Sequence, residues 1–174
     1  MSSITYMPAI TKTQNGIREE ISDILNPYKS PNNYWGGCNL ILSDINTMVM
    51  QLISINGNYR LRHFILSFEP GFDAVEPYQA YRIAYCVCSL FYDVEQVIFT
   101  VHEDEAWLHI HFLVNLENAD NLVPQSDENF FYWLYHEIDL ILSNPSSWAG
   151  FKPVVLSNYT LSVQTANRLQ NSEK

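Results

Sequence analysis

Positively charged residues are scarce in this chain. Nine lysines and arginines stand against nineteen aspartates and glutamates among 174 residues, which gives a formal net charge of −10. Proteins that bind a nucleic acid backbone usually present a basic patch, because phosphate neutralisation supplies most of the affinity. A nucleic acid partner must therefore be held by a few basic residues gathered in one place, or be held weakly.

Long apolar runs and cysteines are also few. No apolar run approaches the ~20 residues of a membrane span, and residues 1–5 lack the basic and apolar regions of a signal peptide. The three cysteines include Cys86 and Cys88, which point to different sides of a predicted helix, so neither a disulfide nor a metal-binding pair is favoured. We expect a cytoplasmic protein without a membrane partner.

The composition and length predict one globular domain. Hydrophobic residues make up 47% of the chain and aromatic residues 14%, enough for a sizeable core. We expect a single domain over residues 1–174, with its core at about residues 4–160 and a disordered tail at 165–174.

The apolar periodicity predicts an α+β fold. Strands are expected at residues 4–10, 61–69, 96–102, 107–115 and 152–156, with a loop over residues 28–38. Helices are expected from a capping segment at residues 13–16 to Leu25, after Asp44 to Ile53, and over residues 78–92 and 129–142. This order fits an antiparallel sheet of about five strands covered on one face by helices.

Three of the five histidines, His102, His109 and His111, lie within ten residues. They fall on two predicted strands joined by the acidic residues 103–105, and His109 and His111 share a strand face because side chains alternate. With a hairpin loop of about six residues, His102 lies opposite His109 on the same face. Three converging imidazoles predict a metal site with open coordination positions.

Asp104 follows His102 by two residues and is predicted to accept the second ring N–H of a ligating histidine, which would fix its tautomer. The alternative interpretation of the His-x-His pair is a polar stripe that faces solvent.

Three blocks of sequence form a recognisable set. Residues 24–30 read Ile-Leu-Asn-Pro-Tyr-Lys-Ser, with Gly-Gly-Cys-Asn at 36–39, and residues 63–71 read His-Phe-Ile-Leu-Ser-Phe-Glu-Pro-Gly. The third and most specific block is His102-x-Asp104-x4-His109-x-His111, followed by Asn115. Over about residues 4–142, this order resembles the mobilisation relaxases of bacterial plasmids and transposons, the MobA/VirD2-type family of HUH endonucleases.

The resemblance implies a palm-like antiparallel sheet on which His102, His109 and His111 hold a divalent metal, Mg²⁺ or Mn²⁺ first and Zn²⁺ as the alternative. In the family, this metal polarises a phosphate of single-stranded DNA at an origin of transfer. A tyrosine then attacks the phosphate, leaving a 5′-phosphotyrosine link and a free 3′-OH. The implied partners are single-stranded DNA and accessory proteins of the relaxosome.

The chain departs from the family pattern at the nucleophile. The tyrosine of the first motif usually lies three residues before the Asn-Pro pair, and that position here is Asp23. Tyr28 and Tyr34 are the candidate replacements. Tyr28 can serve as the nucleophile only if the preceding helix has ended by Pro27.

The same resemblance and the local chemistry suggest further DNA contacts. His63 is expected to contact a DNA phosphate or to support a metal ligand, and Ser67 lies on the same side of its strand. Basic residues are candidates for the DNA backbone and loop aromatic residues for base stacking. The predicted DNA-binding residues are His63, Ser67, Lys29, Arg62, Tyr34 and Trp35.

The sequence leaves three functions open. The first is a metal-dependent DNA nickase or strand transferase with Tyr28 and Asp104 in catalytic roles. The second is a catalytically degenerate relaxase homologue that binds DNA or a protein, to which Asp23 and the net charge of −10 point. The third is a metal-dependent hydrolase of small phosphoesters, which needs no basic surface.

Overall fold

Five antiparallel strands form one sheet in the order β1-β3-β5-β4-β2. The strands are β1 (Ser2–Met7), β2 (Trp35–Cys38), β3 (Leu61–Phe68), β4 (Gln96–His102) and β5 (Leu108–Asn115). The computed structural model describes residues 2–7, 13–52, 61–70, 75–92, 96–104, 106–115 and 127–149. The predicted α+β class and the five-stranded antiparallel sheet are confirmed.

The described part of the chain contains five helices: α1 (Gln14–Ile24), α2 (Ile45–Leu52), α3 (Pro77–Ser89), α4 (Asp127–Ser143) and α5 (Pro145–Ala149). Side chains cap their beginnings, as expected for exposed backbone N–H groups. Thr13 Oγ1 accepts a hydrogen bond from Gly16 N at 3.2 Å, and Asp44 Oδ1 accepts one from Thr47 N at 3.1 Å. These caps fix where α1 and α2 begin on either side of β2.

Helices cover both faces of the sheet, so the expectation of one covered face is wrong. On one face, alternate strand residues such as Phe64, Phe99 and Phe112 pack against α3 and α4. On the other face, Ile98 and Leu113 pack against the apolar sides of α1 and α2. The second layer was missed because α1 and α2 are short helices that cover only part of that face.

The sheet also contains a strand that the sequence did not predict. Residues 35–38 were assigned to a loop, but they form β2 and pair with β4, Trp35 opposite Thr100 and Cys38 opposite Val97. A Cβ on Gly37 would lie 2.2 Å from the Val97 carbonyl oxygen, so this pairing depends on glycine. Helix α5 was not predicted either, although a proline at the first position, here Pro145, is compatible with the start of a helix.

The predicted strand at 152–156 and the predicted disordered tail lie outside the described residues. Among the helices that are described, none is both long enough and apolar enough to cross a membrane.

Candidate metal centre

The β4–β5 hairpin brings three histidines together on one face of the sheet. The register places His102 opposite His109 and Thr100 opposite His111, as the sequence predicted for the first pair. The ring centroid of His102 lies 5.3 Å from that of His109 and 4.3 Å from that of His111. One nitrogen from each ring can be chosen so that all three lie within 4.8 Å of one another. The cluster could hold a metal ion.

The second ring nitrogen of two of these histidines meets a backbone carbonyl. His102 Nε2 lies 2.7 Å from the carbonyl oxygen of Ile24, the last residue of α1. His109 Nδ1 lies 2.8 Å from the carbonyl oxygen of Trp107. A carbonyl oxygen only accepts hydrogen bonds, so each of these nitrogens carries the proton. The lone pairs are therefore on His102 Nδ1 and His109 Nε2, ready for a cation.

The third histidine is held by side chains instead. His111 Nδ1 lies 2.8 Å from His63 Nε2, and His63 Nδ1 contacts Glu20 Oε1. Glu20 belongs to α1 and His63 to β3, so this contact joins the helix to the strand that pairs with β5. The remaining nitrogen of His111 is Nε2.

Burial favours the neutral form of two of the three histidines, His102 and His111. Burial is the largest cause that lowers the pKa of His111 to about 2, and the neighbouring imidazoles of His102, His63 and His109 lower it further. Burial also lowers the pKa of His102, although its hydrogen bond to Ile24 opposes the shift. Because a metal ligand must be unprotonated, these shifts favour cation binding near neutral pH.

The site shows a second sign of polar occupancy. Thr100 lies opposite His111 on β4 and is fully buried, and its Oγ1 has no hydrogen-bond partner among the described residues. Buried hydroxyl groups are normally paired with protein or with ordered water. Three imidazoles beside a buried hydroxyl without a partner among the described residues are a donor set that could hold a cation.

Asp104 does not have the role that the sequence assigned to it. The ring N–H groups of His102 and His109 donate to Ile24 and Trp107, and the second nitrogen of His111 meets His63. Asp104 is exposed in the bend after β4, and its charge contributes only a small rise to the pKa of His102. It acts on the site through electrostatics at most.

The loop after α1 lies beside the triad. Glu103 N donates to the Lys29 carbonyl oxygen at 2.8 Å, and Asn32 Nδ2 donates to Glu103 Oε1 at 2.9 Å. The positive charge of Lys29 also contributes to the lowered pKa of His102 and of His111. The loop that carries Tyr28 and Lys29 is therefore hydrogen-bonded to the residue that follows His102, a candidate metal ligand.

Tyr28 is free of the helix that precedes it. Helix α1 ends at Ile24, and Tyr28 lies in the following turn, where its N–H donates to Asn26 Oδ1 at 3.0 Å. Its side chain is 66% exposed. The condition set by the sequence, that the helix end before Pro27, is met.

Asp23 forms an ion pair with a lysine side chain. Lys29 Nζ lies 2.7 Å from Asp23 Oδ1, at side-chain exposures of 30% and 62%. The negative charge of Asp23 is therefore partly neutralised by a residue of the loop that follows α1.

Three predicted DNA contacts do not agree with the structure. Trp35 is the first residue of β2 rather than a loop residue, and at 4% exposure its ring packs in the core and offers no face to a base. Tyr34 stacks on Tyr81 with ring centroids 5.1 Å apart. Arg62 is buried with its guanidinium 4.2 Å above the Phe130 ring, on the sheet face opposite the triad.

Two of the remaining predicted contacts, Ser67 and Lys29, lie beside the triad and are partly exposed. Ser67 is opposite His109 on β3 and is partly exposed. Lys29 is beside the site, as described above. His63 is buried and bound to His111 and Glu20, so it supports a ligand and does not face solvent.

An antiparallel sheet with a His-x-His pair on a central strand and a third histidine opposite is the layout of an HUH-type metal centre. A family model described as "Relaxase: MobA/VirD2-like, nuclease domain" matches residues 26–134, more than half of the chain. The chain belongs to this relaxase family. The match includes His63, Tyr28 and the triad and begins after Asp23. No curated protein and no solved structure matches the chain.

The sequence analysis missed Glu20 entirely. Glu20 contacts His63 across more than forty positions of sequence, so no local motif contains both. A signal was present nonetheless, because Ile17, Ile21 and Ile24 define the buried side of α1 and Glu20 lies one residue from that stripe.

Proposed function

We propose that the protein is a metal-dependent nuclease that nicks single-stranded DNA at the origin of transfer of a mobile element. The observation that carries the proposal is the triad itself. Three imidazole nitrogens lie within 4.8 Å of one another, and the second nitrogens of the rings are all engaged elsewhere. Membership of the relaxase nuclease-domain family supports phosphodiester chemistry on DNA.

His102 Nδ1, His109 Nε2 and His111 Nε2 are the atoms that would hold the cation. A divalent ion bound there supplies charge neutralisation for the non-bridging oxygens of a phosphate. The donors are all imidazole nitrogens, a set that suits Zn²⁺ and other transition metals better than Mg²⁺, which prefers oxygen ligands. We infer that a transition metal serves this site and that Mg²⁺ does not.

Tyr28 is the nucleophile that we assign. Its phenol oxygen attacks the phosphorus, the bond between phosphorus and the 3′ oxygen breaks, and the phenol proton is transferred in net terms to that oxygen. The products are a 5′-phosphotyrosine link and a free 3′-OH, so atoms and charge balance. The support for Tyr28 is its exposure of 66% and its position in the turn that is hydrogen-bonded to the strand end of His102.

Tyr34 is the weaker candidate. Its ring stacks on Tyr81 and lies 6.0 Å from the Tyr78 ring, in the layer formed by α3. The triad lies on the other sheet face. Tyr34 would have to leave its stacking partners to reach a phosphate at the triad.

Lys29 and Ser67 complete the proposed site. Lys29 provides a positive charge near the triad for a DNA phosphate, and Ser67 provides a hydroxyl on the triad's face of β3. Because the chain contains few lysines and arginines, we expect its affinity for DNA to come from a few close contacts and to be modest.

The test uses a pool of labelled single-stranded oligonucleotides of random sequence, incubated with the full chain and Mn²⁺ or Zn²⁺. We expect a protein–DNA adduct that survives denaturation, disappears in Tyr28→Phe and persists in Tyr132→Phe, a change at an exposed tyrosine of α4. An adduct that survives in Tyr28→Phe would reject Tyr28 as the nucleophile. Hydrolysis of bis(p-nitrophenyl) phosphate without any adduct would instead support the phosphoesterase alternative.

A second function is favoured by one observation, the aspartate at the usual nucleophile position. Asp23 cannot form a phosphotyrosine link, and its ion pair with Lys29 engages a basic side chain that lies beside the triad. A relaxase relative that binds DNA or a partner protein without cutting is consistent with this pair. Retention of single-stranded DNA at low salt, with neither adduct nor cleavage for any metal, would establish this second function in place of the first.

A further inference from the structure

Helix α1 reaches the metal triad at two points. Its last carbonyl group, on Ile24, accepts the hydrogen bond of His102, and its Glu20 side chain contacts His63, which in turn meets His111. The carbonyl groups at the end of a helix lack partners within the helix, so Ile24 is free to accept this bond. Two of the three ligands therefore depend on one helix.

The bond to His111 differs in kind from the other two. A backbone carbonyl can only accept, so it fixes the tautomer of His102 and His109 without further help. His63 is itself an imidazole, and its Nε2 can either donate to His111 Nδ1 or accept from it. If His63 donated, the neutral His111 would carry its proton on Nε2 and could not bind a cation there.

Glu20 removes this ambiguity. A carboxylate oxygen in contact with His63 Nδ1 repels a ring lone pair and attracts an N–H, so the contact favours the proton on that nitrogen. In the tautomer of His63 with its proton on Nδ1, Nε2 carries a lone pair and accepts from His111 Nδ1–H. The lone pair of His111 is left on Nε2, on the side of the ring away from His63.

We propose that Glu20 is a positioning residue for the metal centre, acting through His63 to hold His111 in the tautomer that binds a cation. This inference rests on the proposed function in its metal-binding part and does not depend on DNA cleavage. Glu20 is 26% exposed and His63 only 5%, so the carboxylate lies at the edge of the site and the intervening imidazole is sheltered from water. Partners of this kind typically contribute 10–100-fold to metal affinity.

The adjacent Glu19 offers a matched control. It is on the same helix, carries the same charge and is exposed. Glu20→Ala and Glu19→Ala therefore change the net charge and the helix in the same way, while only Glu20→Ala removes the carboxylate from His63. Glu20→Gln keeps the length of the side chain and replaces its charge with an amide that can donate as well as accept.

The experiment measures binding of Zn²⁺ and Mn²⁺ to the full chain by titration calorimetry, without DNA. We expect Glu20→Ala to weaken metal binding about 10–100-fold, Glu20→Gln to weaken it less, and Glu19→Ala to leave it unchanged. Imidazole ¹⁵N spectra of the metal-free protein provide a second readout. The wild type should show His111 protonated on Nδ1, and Glu20→Ala should show a mixture of tautomers.

Equal metal affinity in Glu20→Ala and Glu19→Ala, with an unchanged His111 tautomer, would overturn the inference. So would a wild-type chain that binds neither metal. A wild type that binds metal in a Glu20-dependent way yet never cuts DNA would contradict the proposed nuclease and leave the inference standing. If Glu20→Ala does not fold, the tautomer and affinity of Glu20→Gln decide the question against those of Glu19→Gln.

Discussion

Lys29 Nζ lies 2.7 Å from Asp23 Oδ1, across the turn that ends α1. This ion pair joins the last turn of α1 to the loop that carries Tyr28. Lys29 is also the base whose charge is felt by His102 and His111. The acid at position 23 therefore competes with DNA for the one described lysine beside the triad.

Asp23→Asn should tighten the binding of single-stranded DNA. The substitution releases Lys29 for a phosphate and removes a negative charge near the incoming backbone. Lys29→Met should weaken binding, and the logarithmic salt dependence should become shallower by about 0.7 for the lost phosphate contact. Fluorescence anisotropy with a labelled oligonucleotide at several salt concentrations measures both.

The control for this pair is Asp139→Asn, an exposed acid on α4. It makes the same change in net charge at another place on the surface. If Asp139→Asn tightens binding as much as Asp23→Asn, the effect is one of net charge and the ion pair has no special part in it.

Removal of one ligand should remove the metal. His109→Ala deletes an imidazole whose side chain lines the cluster, whereas His136→Ala deletes an exposed one on α4. We expect metal content and metal-induced stabilisation to be lost only in His109→Ala. In the wild type, metal at 100 times its Kd should stabilise the fold by about 2.7 kcal/mol, which thermal unfolding with and without Zn²⁺ would detect.

Metal preference should follow the donor set. Three imidazoles and no carboxylate in the described cluster predict that Zn²⁺ binds more tightly than Mn²⁺, and Mn²⁺ more tightly than Mg²⁺. Competition titrations in one buffer would establish the order. Tighter binding of Mg²⁺ than of Mn²⁺ would mean that oxygen ligands outside this cluster dominate.

The metal-free protein should lose stability in mild acid. The folded state keeps His111 neutral because its pKa is lowered to about 2, whereas in the unfolded chain the same group has a pKa near 6.5. Below about pH 6.5, the unfolded state therefore binds more protons, and the free energy of unfolding falls as the pH drops towards the folded-state pKa. The lowered pKa of His102 acts in the same direction.

Urea unfolding with a chelator between pH 7.5 and 5 would measure this loss. Each such histidine can contribute a slope of up to about 1.4 kcal/mol per pH unit. His111→Gln should have a shallower slope than the wild type, and His136→Gln should keep the wild-type slope. Equal slopes in all three proteins would show that the buried imidazoles do not govern the acid response.

Gly37→Ala should be more damaging than Gly36→Ala. A Cβ on Gly37 would meet the Val97 backbone oxygen at 2.2 Å, and the backbone of β4 cannot move without breaking its pairing with β2. A Cβ on Gly36 would meet the side chains of Tyr85 at 2.6 Å and Phe99 at 2.9 Å, which can shift at a cost of about 1–3 kcal/mol. Chemical denaturation of both variants would rank them, and the reverse order would contradict the β2–β4 register.

The hairpin shows how much a local pattern determines. Residues 96–102 were predicted as a strand and form β4 with those bounds, and the predicted pairing of His102 with His109 is confirmed. Apolar alternation and a short polar loop were sufficient because strand pairing across one hairpin depends only on neighbouring residues. The same pattern also predicted that His102, His109 and His111 converge on one face of the sheet.

Strand β2 and Glu20 show what a local pattern cannot give. Trp-Gly-Gly-Cys contains two glycines and no apolar alternation, so its sequence does not predict a strand. It forms one because it pairs with β4, and the close approach of the two backbones requires glycine at Gly37. Glu20 acquires its role from a contact between α1 and β3. Both depend on tertiary structure that no single segment encodes.

Arg62 is a different kind of error. His63 faces the triad, so its neighbour in the strand must face the opposite side of the sheet, where Arg62 indeed lies over Phe130. Strand alternation alone would have excluded Arg62 from a DNA surface shared with His63. Arg62 was predicted to contact DNA only because it is one of the few basic residues in the chain.

The most direct test of the central claim is cleavage of single-stranded DNA by the wild type and by His109→Ala, with and without added Zn²⁺ or Mn²⁺. We expect the wild type to yield one fragment with a free 3′-OH and a second fragment linked to the protein through its 5′ phosphate, and only when metal is present. His109→Ala should yield neither, and His136→Ala should match the wild type. Equal cleavage by wild type and His109→Ala, or cleavage that survives a chelator, would contradict a nuclease built on the three-histidine site.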